Sequence, residues 1–248
     1  MSTRIRESGH GDTASRRPDP PKSERKWFKC LLTRIGSCLS SDAIYNVNAT
    51  VNYLAVGQWM HAKGYHETPR FDRREELFDI VGAQAGDKEV LYMEFGVAQG
   101  DATRYWSKVL RNPRSKLHGF DSFAGLPEDW LPHRPKGYFS GGGQAPQIDD
   151  CRVRFFKGWF EETLPNYKCP PHEVLVLNFD ADLYSSTIFA LNAMRDAIIP
   201  GTYIYFDEFN HQFHELRAFD EFLRMTAMTF SLLGVTRTLE GALFQRMG

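Results

Sequence analysis

Asp180 and Asp182 end the apolar run Val174-Leu-Val-Leu-Asn-Phe179, and Asp207 and Glu208 end a second, Gly201-Thr-Tyr-Ile-Tyr-Phe206. Runs of this kind suit strands buried on both faces of a parallel sheet. Open α/β sheets place their ligands just beyond the carboxyl ends of such strands, which makes Asp180 and Asp182 the leading candidates for an active site. The plainer alternative is that all four acids are solvated at strand ends or cap helices. A further pair of features bears on the chemistry. The turn Glu94-x-Gly96-x-x-x-Gly100 follows another apolar run, and Asp121 closes the next, some 20 residues on. A glycine turn lets backbone approach a ligand at a helix N-terminus, and an acid at Asp121 can accept hydrogen bonds from both hydroxyls of a ribose. Together they favour recognition of a nucleoside-containing cofactor. The glycine spacing is not the GxGxxG of nicotinamide dinucleotide enzymes.

Other polar groups cluster downstream. His211, His214 and Glu215 could join Asp207 around iron or zinc, although solvated residues opening a helix are the favoured interpretation. Ser185, Ser186 and Thr187 suit the N-cap of the following helix. Tyr184 and Trp159 fit packing and pocket walls equally well.

Holding these groups requires strands and covering helices in alternation. Strands are expected at 89–95, 117–121, 152–156, 174–180 and 201–208, with a terminal pair at 230–235 and 241–246. Helices are expected between them at 103–110, 186–197 and 214–226, and ahead of the sheet at 27–36, 45–63 and 71–81. Such alternation implies right-handed crossovers and a parallel sheet. The fold expected is therefore α/β, a Rossmann-like doubly wound, mostly parallel sheet with N-terminal helical additions. The stretch 124–150 carries prolines, the run Gly141-Gly142-Gly143 and the aromatics Trp130, Tyr138 and Phe139. A segment of this length without its own secondary structure is usually functional or disordered, and its aromatics favour a lid or substrate loop.

Residues 1–26 hold too few large apolar side chains to offset their ordering entropy and are expected to be a disordered tail. The stripe Trp27, Phe28, Leu31, Leu32 and Ile35 is expected to pack on the domain or a neighbouring subunit rather than on a membrane surface. A chain of 248 residues fits one large domain with extensions. Thirty basic residues against 31 acidic ones leave no global field that would recruit nucleic acid. Cys30, Cys38, Cys151 and Cys169 form no CxxC pair, as suits reduced thiols in a cytoplasmic protein. No apolar run approaches the roughly 18–20 residues that span a membrane.

The motifs in order carry a resemblance. Glu94-Phe-Gly-Val-Ala-Gln-Gly100 resembles motif I of class I S-adenosylmethionine-dependent methyltransferases. Gly119-Phe-Asp-Ser-Phe-Ala-Gly-Leu-Pro127, Gly158-Trp159-Phe160, Asp180-Ala-Asp-Leu-Tyr-Ser-Ser-Thr187 and Asp207-Glu208 follow it. Over roughly residues 90–210 the chain is similar to the macrocin O-methyltransferase family, whose members methylate hydroxyl groups of natural products. The resemblance implies a methyltransferase domain over residues 86–248, preceded by a helical extension at 27–85. It implies S-adenosylmethionine held by Glu94, Gly96 and Gly100, with Asp121 on the ribose and Ser122, Gly158 and Trp159 completing the cofactor site. It also implies a divalent cation, usually magnesium, on Asp180, Asp207 and Glu208, with Asp182 as general base. The second acid of the late pair is commonly Asp in the family, and here it is Glu208.

The function expected is transfer of a methyl group to a hydroxyl of a sugar or other small metabolite, by a homo-oligomer that neither binds nucleic acid nor spans a membrane. Its rivals are a protein that keeps the fold and cofactor without catalysis, and an N-methyltransferase. The Asn/Asp-Pro-Pro-aromatic motif frequent in nucleic-acid N-methyltransferases is replaced here by Asp180-Ala-Asp-Leu.

Overall fold

The structure, a computed structural model, describes residues 22–131 and 133–248, apart from the side chains of residues 22–25. The tail expected over residues 1–26 falls on residues 1–21, outside the described ones, and on the start of the first helix. The chain divides into two compact units, residues 1–48 and 49–248. The first holds α1 (Lys22–Gly36) and the start of α2 (Ser41–Ala62). The α1 stripe of Trp27, Phe28, Leu31, Leu32 and Ile35 is exposed.

The second unit is built on one sheet whose strands are β1 (Arg70–Phe71), β2 (Val90–Phe95), β3 (Lys116–Asp121), β4 (Val153–Lys157), β5 (Val174–Phe179), β6 (Tyr203–Phe206), β7 (Phe230–Thr236) and β8 (Ala242–Arg246). Their order is β1-β7-β8-β6-β5-β2-β3-β4. Every neighbouring pair is parallel except the two made by β8. β2 and β5 lie side by side, and the chain leaves them in opposite directions, to β3 and to β6. This reversal opens a crevice at their carboxyl ends. The strands fall where the apolar runs place them, to within a residue or two. β1 has only two residues, too few to leave a pattern.

Side-chain alternation sorts the strands onto two cores. After β4 comes the short α5 (Phe160–Thr163), and Leu91, Met93, Leu175, Leu177 and Ile204 face α6 (Tyr184–Met194) and α7 (Glu215–Thr226). Val90, Tyr92, Val176, Tyr203 and Tyr205 face α3 (Arg74–Ala85) and α4 (Asp101–Val109). The third helix starts and ends later than expected. Residues 70–71 are taken by β1, and Gly82, expected to close the helix, lies inside it because a larger side chain would strike Val109 of α4.

A phenylalanine stands at the end of β2, β5 and β6 and one residue before the end of β3 and β4. Phe156, Phe120, Phe95, Phe179 and Phe206 stand in register across β4, β3, β2, β5 and β6. Successive rings are 4.7, 5.6, 4.9 and 5.2 Å apart and tilted by no more than 20°. This ladder is an apolar floor immediately below the strand ends.

Candidate functional site

Four rungs of the ladder, Phe120, Phe95, Phe179 and Phe206, are followed by residues that line the crevice: Asp121, Gly96, Asp180 and Asp207. Ladder bonds continue one step past the phenylalanines. The Asp180 N–H donates to the Phe95 carbonyl at 2.9 Å, the Asp207 N–H to Phe179 at 3.0 Å, and the Gly96 N–H to Phe120 at 3.0 Å. The acids are thus placed by sheet hydrogen bonds rather than by loose loops. Above them is a cavity of about 600 Å³, within the range of small-ligand sites.

One wall of the cavity holds Gly96, Ala98, Asp121, Ser122, Gly158 and Trp159. Gly96 has φ +91°, and a Cβ there would collide with the Asp180 carbonyl oxygen, so only glycine lets β2 and β5 approach this closely. Asp121 organises the turn: Oδ2 accepts the N–H groups of Val97 at 2.7 Å and Ala98 at 2.9 Å, and Oδ1 accepts that of Phe123 at 2.7 Å. A carboxylate has about four acceptor positions, so about one remains for a ligand hydroxyl. Two expected cofactor residues are not on the wall. Gly100 is the left-handed N-cap of α4, against Pro146 and Ile148. Glu94 is 1% exposed beneath the turn, accepting bonds from Tyr92 Oη at 2.9 Å and from Thr103 Oγ1. Burial raises its carboxyl to about 7 against those two bonds.

The opposite wall holds Asp180, Asp182, Asp207 and Glu208, and two arginines divide them. Asp207 follows Tyr205 in the alternation and shares its side. Tyr205 Oη donates to Asp207 Oδ1 at 2.7 Å, and Arg74 Nη1 to both Asp207 oxygens at 3.2 Å. The same nitrogen is 3.6 Å from Asp180 Oδ2. Burial, then Asp207 and Asp182, lift Asp180 well above the carboxylate range, with Arg74 opposing. Glu208 follows Phe206 to the other side. Burial and the charges of Asp182 and Asp207 push it up to about 8, against Arg134.

Asp182 is 8% exposed and has φ +59°. The Leu183 N–H donates across it to Ala181 O at 2.6 Å, closing a strained three-residue turn. Burial pushes its carboxyl to about 7, with Arg134 opposing and Asp207 and Asp121 adding to the rise. A buried carboxyl poised there suits a general base.

Two arginines at the site, Arg74 and Arg134, were not legible in the motifs, and several residues read from sequence are placed differently from the expectation. Arg74 comes from the first turn of α3. Arg134 comes from the 124–150 stretch, where the Leu126 N–H donates to the Tyr138 carbonyl and the Gly137 N–H to the Leu126 carbonyl, each at 2.9 Å. Its guanidinium lies 4.5 Å from the Trp130 ring and 5.4 Å from Phe139, so the loop aromatics hold a cation beside the cavity. Glu215 is not solvated but fully buried, accepting the N–H groups of Ala181 at 3.3 Å and Glu208 at 2.9 Å, and so ties the two acid-bearing loops together. His211 and His214 are partly buried with rings 4.4 Å apart, and their Nδ1 atoms lack hydrogen-bond partners. Ser185 and Ser186 line the cavity rather than cap α6, whose N-cap is Leu183 without a side-chain bond. Tyr184 turns away to Glu221 at 2.8 Å.

The acids offer the hard oxygen donors that a divalent cation takes, but their arrangement does not fit one. Arg74 sits on Asp207 beside Asp180, and Glu208 lies on the far side of its strand. Among the described residues no group of three or more His, Cys, Asp or Glu is arranged to hold a metal ion.

The strand order, its single antiparallel strand and the crevice at the β2–β5 reversal define a Rossmann-like methyltransferase fold. Residues 144–240, which include all four acids, match the model of the macrocin-O-methyltransferase family. Over 137 residues the chain is 28% identical to the Streptomyces olivaceus 8-demethyl-8-(2,3-dimethoxy-alpha-L-rhamnosyl)-tetracenomycin-C 4'-O-methyltransferase, covering 47% of this chain and 52% of that protein. The chain thus spans about half the length of that curated relative. Among solved structures, the O-methyltransferase NovP superposes with a TM-score of 0.50 at 25% identity, over 71% of this chain and 78% of that one. The calicheamicin methyltransferase CalS11 gives a TM-score of 0.54 at 20% identity, over 97% and 99%.

Proposed function

We propose that this chain is an S-adenosylmethionine-dependent O-methyltransferase acting on a hydroxyl of a sugar or other small metabolite. The observation that carries the proposal is Asp182. It is a buried, strained carboxyl raised to about 7, in a cavity whose other wall is a glycine turn closed by a strand-end acid. The match to an O-methyltransferase with a rhamnosyl substrate in its name supports the acceptor class.

S-adenosylmethionine, a substrate consumed in the reaction, supplies a methyl group already activated on a sulfonium. Gly96, Ala98, Asp121, Ser122, Gly158 and Trp159 would hold it, with the remaining acceptor position of Asp121 on a ribose hydroxyl. The acceptor hydroxyl would lie against Asp182. Its oxygen attacks the methyl carbon, the O–C bond forms as C–S breaks, the bonding pair stays on sulfur, and the hydroxyl proton passes to Asp182. Asp182 accepts it because the ionised form is destabilised by burial, so the driving force for proton transfer is set by the fold. Arg134 faces the charge left on this wall and would position the acceptor. No step is assigned to the divalent cation expected on Asp180, Asp207 and Glu208.

Four unpaired, exposed cysteines accord with a reducing, cytoplasmic setting. Among the described residues no helix is long and apolar enough to cross a membrane.

The test is transfer of a labelled methyl group from S-adenosylmethionine over a panel of glycosides, free sugars and phenols, with amines as controls. Labelled methyl ether on a hydroxylated member is expected. Tight cofactor binding with no transfer to any hydroxyl, or transfer only to amines, would contradict the proposal.

A further inference from the structure

Asp180 and Asp207 extend from adjacent strands and would repel each other if both ionised with nothing between them. The positive charge beside them belongs to the chain itself. Arg74 Nη1 bonds both oxygens of Asp207 at 3.2 Å and lies 3.6 Å from Asp180, while Tyr205 takes a further acceptor position on Asp207 at 2.7 Å. Three of about four acceptor positions on Asp207 are thereby filled.

Arg74 does not hang from a flexible loop. It stands in the first turn of α3, which Glu76 pins by accepting the N–H groups of Asp72 and Arg73, each at 2.9 Å. Leu77 and Phe78 in the next turn are fully buried. A guanidinium stays charged at any working pH, so a divalent ion would have to break a charge-assisted contact held by a packed helix.

We propose that Arg74 is the resident cation of the Asp180–Asp207 pair, standing where a divalent ion would otherwise bind, so that this wall of the site holds its shape without metal. The consequence for turnover rests on the O-methyltransferase reading; the consequence for metal binding rests on the contacts alone. As a positioning residue, Arg74 offsets part of the charge of the Asp180–Asp207 pair and so keeps the charge of Asp207 from being imposed in full on Asp182.

The experiment is uptake of Mn²⁺ by the full chain, followed by electron paramagnetic resonance with neither acceptor nor cofactor present. Wild type is expected to take up no stoichiometric Mn²⁺. Arg74→Gln, which keeps a hydrogen-bond donor but loses the charge, should take up one equivalent roughly tenfold or more tighter than wild type. Adding Asp207→Asn should abolish that uptake, and Arg74→Lys should behave as wild type. If Arg74→Gln does not fold, Arg74→Met carries the same expectation. On any acceptor the panel returns, wild-type transfer should survive dialysis against a chelator. One equivalent bound by wild type as tightly as by the uncharged variants overturns the proposal, as does no uptake by those variants or loss of wild-type transfer on chelation. Because Mn²⁺ is read without an acceptor, failure of the panel leaves the binding result decisive.

Discussion

Glu94 lies wholly below the floor of the cavity with both its hydrogen bonds supplied by neighbours, yet burial raises it from 4.5 to about 7. A carboxyl whose folded value is raised binds its proton more tightly in the native state, so stability is highest below the unfolded value and falls as pH rises through the folded one. Between about pH 4.5 and 7 Glu94 therefore costs stability, by up to roughly 3 kcal/mol once fully ionised. Gln at this position keeps an oxygen for Tyr92 and Thr103 but cannot ionise. Urea unfolding at pH 5 and pH 8 should show Glu94→Gln gaining on wild type at the higher pH. An equal difference at both values would mean that Glu94 is not the titrating group. Glu94 was legible as a motif residue, but its depth was not, because the alternation that turns it under the sheet depends on which helices cover each face.

The phenylalanine ladder is the element on which the site stands. It sets the depth of the strand ends, and being apolar it withholds water from the acids above, and burial is the largest cause of the raised carboxyls of Asp180, Asp182 and Glu208 alike. Phe179 is its fourth rung, fully buried between Phe95 and Phe206. Phe179→Ala should cost about 3–5 kcal/mol, read as a fall in the urea midpoint, and a loss below about 1 kcal/mol would show that the stack contributes little. The strands themselves were legible because apolar runs ending in acids leave few alternatives. A phenylalanine precedes the strand-end residue at 95, 120, 156, 179 and 206, so the ladder was also written in the sequence, but only the register reveals it. The shift of α3 was not legible, since Gly82 serves helix packing rather than termination.

At the scale of the molecule, the site is assembled from segments far apart in the chain. The glycine turn, the strand-end acids and the Gly158–Trp159 pair could be located from sequence because each sits at a strand terminus. Arg74 and Arg134 could not, because what brings them to the site is the acid they meet: Asp207 stands 133 residues from Arg74. Arg74 is shared by Asp180 and Asp207, whereas Asp182 and Glu208 have Arg134 as their opposing charge. The central claim is that Asp182 takes the proton, and the most direct measurement is the pH profile of kcat/KM for wild type and Asp182→Asn, with cofactor affinity measured beside it. Below about pH 7 Asp182 is protonated and cannot accept, so wild-type kcat/KM should rise through that value. Asp182→Asn should lose the rise and roughly 10²–10⁴-fold in rate, with cofactor affinity unchanged. Wild-type turnover in that variant, with the rise through pH 7 intact, would contradict the account.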